Sequence, residues 1–147
     1  MGRMTVKSSA RNQFIGKVIN VKRGAVNDEI VVEIAGGIKI VAIITNSSTS
    51  ELGLKIGVEV FALIKSSSII LVAEERNIKF SARNFLSGTI SNIQPGAVNT
   101  EVVMNLPCGG TIAAIITNES NKNLQLKEGN KISAMFKASS VIIGVPA

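Results

Sequence analysis

The sequence repeats itself, and this repeat limits the possible folds more than any other feature. Ser9-Ala10-Arg11-Asn12 returns unchanged 72 residues later as Ser81-Ala82-Arg83-Asn84. At the same offset, Gly24-Ala25-Val26-Asn27 returns as Gly96-Ala97-Val98-Asn99. A shared offset between separate tetrapeptides indicates an internal duplication, so the chain is predicted to contain two similar modules.

The two modules are predicted at residues 7–73 and 79–147, with a linker at residues 74–78. Domains this small bury only about 60% of their unfolded surface and need further stabilisation. A single cysteine, Cys108, and the absence of histidine exclude an intramolecular disulfide and an ordinary Cys/His metal site. Association between chains remains, so we expect an oligomer.

Both modules show the same order of short strands rich in Val and Ile. In the first module the strands are predicted at Phe14–Lys22, Glu29–Ile34, Ile38–Ile44, Val58–Lys65 and Ile69–Val72. In the second they are predicted at Ile90–Ile93, Glu101–Leu106, Thr111–Ile116, Lys131–Lys137 and Val141–Val145. Gly36-Gly37 predicts a tight turn, and Ser48 with Glu51 has the capping-box spacing of a short helix. Five strands with a helical turn between the third and fourth predict an all-β fold of two tandem OB-like barrels.

The composition argues against an enzyme. Without histidine the commonest general base is missing, and no nucleophilic triad can be assembled. No P-loop motif occurs, and the ten acidic residues are predicted to lie mainly in solvated turns and strand edges. No apolar run reaches the roughly 18 to 20 residues of a membrane span, and residues 1–7 lack the apolar core of a secretory signal. We therefore expect a non-enzymatic cytoplasmic protein with no membrane partner.

What recurs between the modules is polar, and this favours an anion site. Besides the two tetrapeptides, both copies keep a Thr at the end of the third strand and a late Lys followed by a small residue. Arg provides forked donors, Lys a point charge, and Ser, Thr and backbone N–H groups short hydrogen bonds to oxyanion oxygens. A net charge of +6 also favours an anionic partner, without identifying it.

Each of these residues also has a purely structural explanation. The arginines would pair with carboxylates of their own module, the threonines would bond the local backbone, and the glycines would satisfy a positive φ. The residues concerned are Arg11, Arg83, Thr45, Thr117, Gly24 and Gly96. Their joint retention in both copies favours a binding site.

The recurring residues resemble the Mop module of molybdate-binding proteins, a member of the TOBE group. Two such modules in one chain resemble the tandem, di-Mop (ModG-type) family, over about residues 7–145. The resemblance implies two tandem Mop/TOBE barrels, a homotrimer of tandem chains, and oxyanion sites at interfaces between modules. It implies no cofactor, and as ligand it implies molybdate or tungstate, held as an intact oxyanion.

Two kinds of site are implied by the resemblance. The first, between neighbouring modules, would use Ser9, Ala10, Arg11, Thr45, Lys65 and Ser66, and in the second copy Ser81, Ala82, Arg83, Thr117, Lys137 and Ala138. The second, near the threefold axis, would use Gly24, Ala25, Val26 and Asn27 with Gly96, Ala97, Val98 and Asn99. Because Ala138 lacks the hydroxyl of Ser66, the second copy is expected to bind more weakly.

Three functions are compatible with the sequence. The resemblance implies intracellular molybdenum storage or homeostasis, and an accessory module that senses molybdate for a partner protein is a second possibility. The third is an OB-like nucleic-acid-binding protein, whose surface would stack bases on aromatic side chains. The chain has no Trp or Tyr, and its phenylalanines are predicted to lie in the core, which argues against nucleic acid as a partner. They are Phe14, Phe61, Phe80, Phe85 and Phe136.

Overall fold

Two five-stranded antiparallel sheets make up the fold. The computed structural model describes residues 7–73, 78–107 and 109–146. The first repeat forms β1 (Asn12–Lys22), β2 (Asn27–Ile34), β3 (Lys39–Thr45), α1 (Asn46–Leu52), β4 (Glu59–Ile64) and β5 (Ile70–Val72). The second forms β6 (Asn84–Pro95), β7 (Asn99–Asn105), β8 (Thr111–Thr117), α2 (Asn118–Leu124), β9 (Lys131–Phe136) and β10 (Ile142–Gly144). The predicted all-β class, the strand order and the short helix of each module are confirmed.

The two repeats exchange their last strands. The first sheet has the order β10-β4-β1-β2-β3, and the second has the order β5-β9-β6-β7-β8. Ile143 of β10 pairs with Ala62 of β4, and Leu71 of β5 pairs with Ala134 of β9. Each sheet therefore takes four strands from one repeat and one from the other. The division of the chain into modules at residues 7–73 and 79–147 stays a prediction. Residues 74–77 of the predicted linker lie outside the described residues, and so does Cys108.

Alternating burial along the strands builds the core. Ile30 and Val32 of β2 are fully buried, and so are Val102 and Met104 at corresponding positions of β7. These side chains belong to one continuous hydrophobic cluster that draws on both sheets. Because residues two apart on a strand face the same side, the intervening residues point away from this cluster. The exchanged strands and the shared core make the two repeats one structural unit.

The phenylalanines divide between the core and the surface, and the predicted core position of two of them is wrong. Phe61 and Phe136 are buried as expected, and Phe14 packs partly buried against the core. Phe80 and Phe85 are 41% and 44% exposed, and their rings stack with centroids 5.9 Å apart. On β6 the buried neighbour is Asn84, so the next side chain along the strand faces outward.

The predicted helix cap was also wrong. Ser48 was predicted as the N-cap of the helix, but the N-cap is Thr45, because β3 runs directly into α1. The Thr45 hydroxyl accepts from the Ser48 backbone N–H at 3.1 Å, and Thr117 accepts from Ser120 at 3.0 Å at the start of α2. The predicted tight turn at Gly36-Gly37 is confirmed, with φ values of 79° and 77°.

Candidate functional site

Each Ser-Ala-Arg-Asn segment is hydrogen-bonded, through its asparagine, to the third strand of the other repeat. Asn12 is buried and donates to the Ala113 carbonyl at 2.9 Å, while the Ala113 N–H donates back at 2.8 Å. Asn84 makes the same pair of bonds with Val41, both at 2.8 Å. The asparagine of the motif thus anchors the segment structurally, and this places the residues before it at the contact between the repeats.

The lysines lie beside the arginines. Asn12 is paired in register with Ile64, so the next pair beyond this register is Arg11 and Lys65. Asn84 is likewise paired with Phe136, which brings Arg83 next to Lys137. Two cations at adjacent strand ends repel one another unless negative charge lies near them.

The late small residues begin 3-10 turns that cross to the other repeat. The turn Ser66–Ser68 packs against β8, and the turn Ala138–Ser140 packs against β3. We call the region of Ser9, Ala10, Arg11, Lys65 and Ser66, beside β8, the first seam, and the region of Ser81, Ala82, Arg83, Lys137 and Ala138, beside β3, the second seam. The two seams are related by the internal repeat. Ala138 is 3% exposed, whereas Ser66 is only partly buried.

The strand-end threonines lie on the strands that receive these segments. Thr117 ends β8 at the first seam, and Thr45 ends β3 at the second. Each threonine therefore ends the strand that the Ser-Ala-Arg-Asn segment of the other repeat binds, through Asn12 at β8 and through Asn84 at β3. Both side chains also cap a helix, the local backbone bonding considered from the sequence, and each donates to a serine hydroxyl at 2.9 Å. Ser48 and Ser120 were not predicted as site residues from the sequence. Their shared offset of 72 residues is a signal that could have identified them.

The arginines pair with carboxylates across the seams. Arg83 donates from Nη1 to Glu29 Oε2 at 2.6 Å and from Nη2 to Oε1 at 3.2 Å, and Arg11 pairs with Glu101. The hydrogen bonds from Arg83 hold the pKa of Glu29 below its ordinary value and raise the pKa of Arg83. The structural alternative, that each arginine pairs with a carboxylate of its own module, is wrong in its partner, because each carboxylate belongs to the other repeat. Glu29 and Glu101 were missed as site residues, although they recur at the same offset.

The Gly-Ala-Val-Asn turns are exposed and are each tied to a helix start. Asn46 donates from its backbone to the Val26 carbonyl at 3.0 Å, and Asn118 does the same to Val98 at 3.0 Å. The two valine side chains are 70% and 71% exposed. The turns therefore present backbone and apolar side chains outward, one turn from each repeat.

Close approach, and not positive φ, explains the glycines of these turns. Neither Gly24 nor Gly96 has a positive φ, so that explanation was wrong. A Cβ at Gly24 would lie 2.2 Å from the Asn27 carbonyl oxygen, and one at Gly96 would lie 3.0 Å from that of Asn99. Real Cβ atoms do not come as close as 2.2 Å, so only glycine fits the first turn without a shift of the backbone. At 3.0 Å the second turn is tight, and a Cβ there would require a smaller adjustment.

The two turns differ in the residue that follows them. Asp28 is buried and accepts from the Gly24 N–H at 3.1 Å and from Arg23 at 3.2 Å. The hydrogen bond from the Thr49 side chain is the main reason that the pKa of Asp28 is lowered. The second repeat has Thr100 here, which donates to Asn118 at 2.6 Å. Only the first turn is therefore followed by a buried carboxylate that accepts a hydrogen bond from its glycine.

Other kinds of site find little support in the part of the chain that the structure describes. No group of three or more Cys, Asp and Glu side chains there lies close enough to hold a metal ion. Neither described helix has the length and apolar character needed to cross a membrane. The seams, with paired Arg and Lys and nearby hydroxyls, are the strongest candidate sites.

Comparison with known proteins agrees with the duplicated architecture. The model of the TOBE domain family matches residues 8–71 and 81–143. The molybdenum transport protein ModE of Herbaspirillum seropedicae is 41% identical over 97% of this chain and 53% of its own length. The molybdenum-pterin-binding protein MopA of Rhodobacter capsulatus is 41% identical over 97% of this chain and 54% of its own length. The chain thus spans about half the length of these relatives.

A solved structure matches the whole fold. The cytoplasmic molybdate-binding protein ModG, in a crystal form with molybdate bound, has a TM-score of 0.93 and 43% identity. The match covers 96% of this chain and 100% of that one. The relatives are named for molybdate binding, molybdenum transport or transcriptional regulation, and none of these names describes an enzyme.

Proposed function

The chain belongs to the TOBE-domain family, and from this premise we propose that it binds molybdate reversibly in the cytoplasm and serves in molybdenum storage or homeostasis. The observation that carries the proposal is that Arg11 and Lys65, and likewise Arg83 and Lys137, follow directly on paired strand residues at two equivalent seams. Similarity to ModG with molybdate bound supports the same ligand.

The seams offer the donors that a tetrahedral dianion needs. Arg and Lys supply two positive charges, and the exposed hydroxyls of Ser9 and Ser81 add neutral donors. The hydroxyls of Thr45 and Thr117 would join them on giving up their bonds to Ser48 and Ser120. The anion is bound through its oxygens, so no Cys or His ligand is required and no covalent bond is made or broken. Sulfate is smaller, and it would leave some of these donors unpaired. Tungstate, with nearly the same size and charge, is expected to bind about as well as molybdate.

A second binding position is proposed at the Gly-Ala-Val-Asn turns, and it requires other copies of the chain. Val26 and Val98 are more exposed than any other large apolar side chain in the described part. Exposed apolar side chains at two equivalent turns are what a symmetric assembly would cover. We therefore propose a homotrimer with the turns near its axis, stabilised by oxyanion binding through mass action.

Sensing is the second candidate function, and the length of the relatives favours it. The chain spans 54% of a transcriptional dual regulator, ModE of Escherichia coli, at 35% identity. A partner or a further segment would then convert molybdate binding into regulation. The ligand is the same in both functions, so a binding experiment tests their common premise.

The deciding experiment is calorimetric titration of the purified protein with molybdate, using sulfate as the control ligand and light scattering for the oligomer mass. Saturable binding of molybdate by a trimer, with sulfate inert, is expected. No heat with molybdate from a folded protein would refute the proposal, and single-stranded oligonucleotide would be the next ligand.

A double substitution assigns the binding to the seams. Charge-assisted hydrogen bonds contribute about 1.5–3 kcal/mol each, so Arg11→Ala with Arg83→Ala is expected to weaken seam binding by roughly tenfold to a hundredfold. Lys55→Ala with Lys127→Ala is the matched control, because both lysines are exposed and occupy equivalent positions outside the seams. Unchanged affinity in the arginine variant, or an equal loss in the lysine variant, would contradict the assignment.

A further inference from the structure

Both seams contain a carboxylate that the oxyanion would meet. Glu29 extends from β2 to Arg83 at the second seam, and Glu101 extends from β7 to Arg11 at the first. The two glutamates recur at the repeat offset, whereas the residue before each of them changes from Asp28 to Thr100. The duplicated chain has therefore kept this acidic side chain at both sites.

The carboxylate makes the contact that an oxyanion would make. Glu29 uses both of its oxygens to accept from two different nitrogens of the Arg83 guanidinium. A tetrahedral dianion offers the same pair of oxygens to the same forked donor. Both partners cannot occupy this edge of the guanidinium together, so a dianion must displace the carboxylate or bind beside it.

The charges at a seam show the effect on affinity. The Arg and Lys of a seam supply a charge of +2, which matches a divalent oxyanion, and the glutamate reduces their sum to +1. Lys22, which is paired with Glu29 across the strands, adds a further positive charge beside the second seam, where the other repeat has Gln94. A carboxylate about 6 Å from a dianion weakens its binding roughly tenfold even where the dielectric constant is that of water. The glutamate therefore lowers the affinity of its seam.

The ion pairs are exposed enough to open. The arginine side chains are 53% and 50% exposed, and their glutamate partners are 20% and 23% exposed. Ion pairs in contact with water contribute little to stability, so exchanging the carboxylate for a bound anion costs little. A monovalent anion gains less from the two cations than a divalent one and is the poorer competitor for the carboxylate.

We propose that Glu29 and Glu101 are affinity-setting and specificity-determining residues, each an internal competitor that holds the arginine of the other repeat until a divalent oxyanion displaces it. This inference rests on the proposed function. It assigns to the glutamates the exclusion of monovalent anions such as chloride, at the expense of absolute affinity for the dianion.

The test compares molybdate titrations of the full chain with those of Glu29→Gln with Glu101→Gln, which keeps the side-chain shape and removes the charge. We expect the dissociation constant to fall about tenfold. The control is Glu33→Gln with Glu128→Gln, which removes the same charge from exposed positions, one in each repeat. Glu33 lies four residues beyond Glu29 on the same strand, about 13 Å away. The control is expected to bind as the unchanged chain does.

A second measurement separates competition from a general effect of charge. Titrations repeated with added sodium chloride, against sodium gluconate at equal ionic strength, are expected to show stronger chloride inhibition in the Glu29/Glu101 variant than in the unchanged chain. If the unchanged chain binds molybdate and the variant binds it equally or more weakly, this inference is refuted while the proposed function stands. If the unchanged chain binds no molybdate, both fail. Thermal unfolding of each variant verifies that it is folded.

Discussion

The buried asparagines that join the repeats give the sharpest prediction about stability. Asn12 is 2% exposed and makes three hydrogen bonds, two with Ala113 and one to the Ile64 carbonyl at 3.2 Å. Asn12→Ala leaves the N–H and the carbonyl of Ala113 without these partners. Because Ala113 is itself buried, water replaces the lost bonds only in part.

The expected cost follows from those two backbone groups. A buried polar group left unpaired costs about 1–3 kcal/mol, and water entering the space of the deleted side chain recovers part of that sum. We therefore expect Asn12→Ala to lower the free energy of unfolding by about 2–4 kcal/mol. Asn84→Ala should cost only about 1–2 kcal/mol, because its partner Val41 is partly exposed and can be solvated.

Urea unfolding followed by circular dichroism, at one fixed chain concentration, measures both changes. Asn20→Ala is the control, since Asn20 is exposed on the same strand as Asn12 and its loss should cost less than about 0.5 kcal/mol. The dependence on urea should be unchanged. A cost for Asn12→Ala no larger than the control, or a larger cost for Asn84→Ala than for Asn12→Ala, would refute this account of the anchors.

Three further predictions concern the helices and one turn. Gln125 has a φ of 52° where the first repeat has Gly53, so Gln125→Gly should stabilise the protein by about 0.5–1 kcal/mol and Gly53→Gln should destabilise it by about 1 kcal/mol, both by urea unfolding. Thr117→Ala removes the N-cap of α2 and should cost about 1 kcal/mol, against almost no change for Thr117→Ser. The hydrogen bond from Thr49 lowers the pKa of Asp28, so the stabilisation from this carboxylate is complete above its ordinary value of 3.8 and is lost as pH falls through the lower folded value. Asp28→Asn should therefore flatten the acid limb of a plot of stability against pH, and an unchanged limb would contradict the assignment.

The strands were predictable from the sequence, but their partners were not. Alternating burial in β2 and β7 follows the apolar pattern of the sequence, and the duplication made each module a test of the other. The exchange of β5 and β10 leaves no such signal. Each is a strand of three residues, Ile70–Val72 or Ile142–Gly144. The sequence of such a short apolar strand does not show which of the two sheets it joins. Only the three-dimensional path of the chain decides between them.

The site was predictable to the extent that its residues recur. The duplication predicted Arg11 and Arg83 as site residues, and the structure adds that their ion-pair partners lie in the other repeat. Glu29 and Glu101 were passed over because acidic residues on strand edges are usually solvated, and no sequence rule shows that two distant segments meet. Phe85 was misplaced because an apolar residue does not reveal which face of its strand is outward, and Phe80 because it lies before β6, outside any strand.

The exchange of strands also has a consequence for the order of synthesis on the ribosome. Until β10 has emerged, the first sheet has β4 as an open edge, although all four of its own strands are already made. From Ile64 to Gly144 the ribosome adds about 80 residues, which takes about 4–16 seconds at ordinary rates of translation. An exposed edge invites pairing with other nascent chains. The first sheet is therefore expected to remain incomplete until β10 emerges, and crowding of ribosomes on one message should favour mispaired chains over single ones.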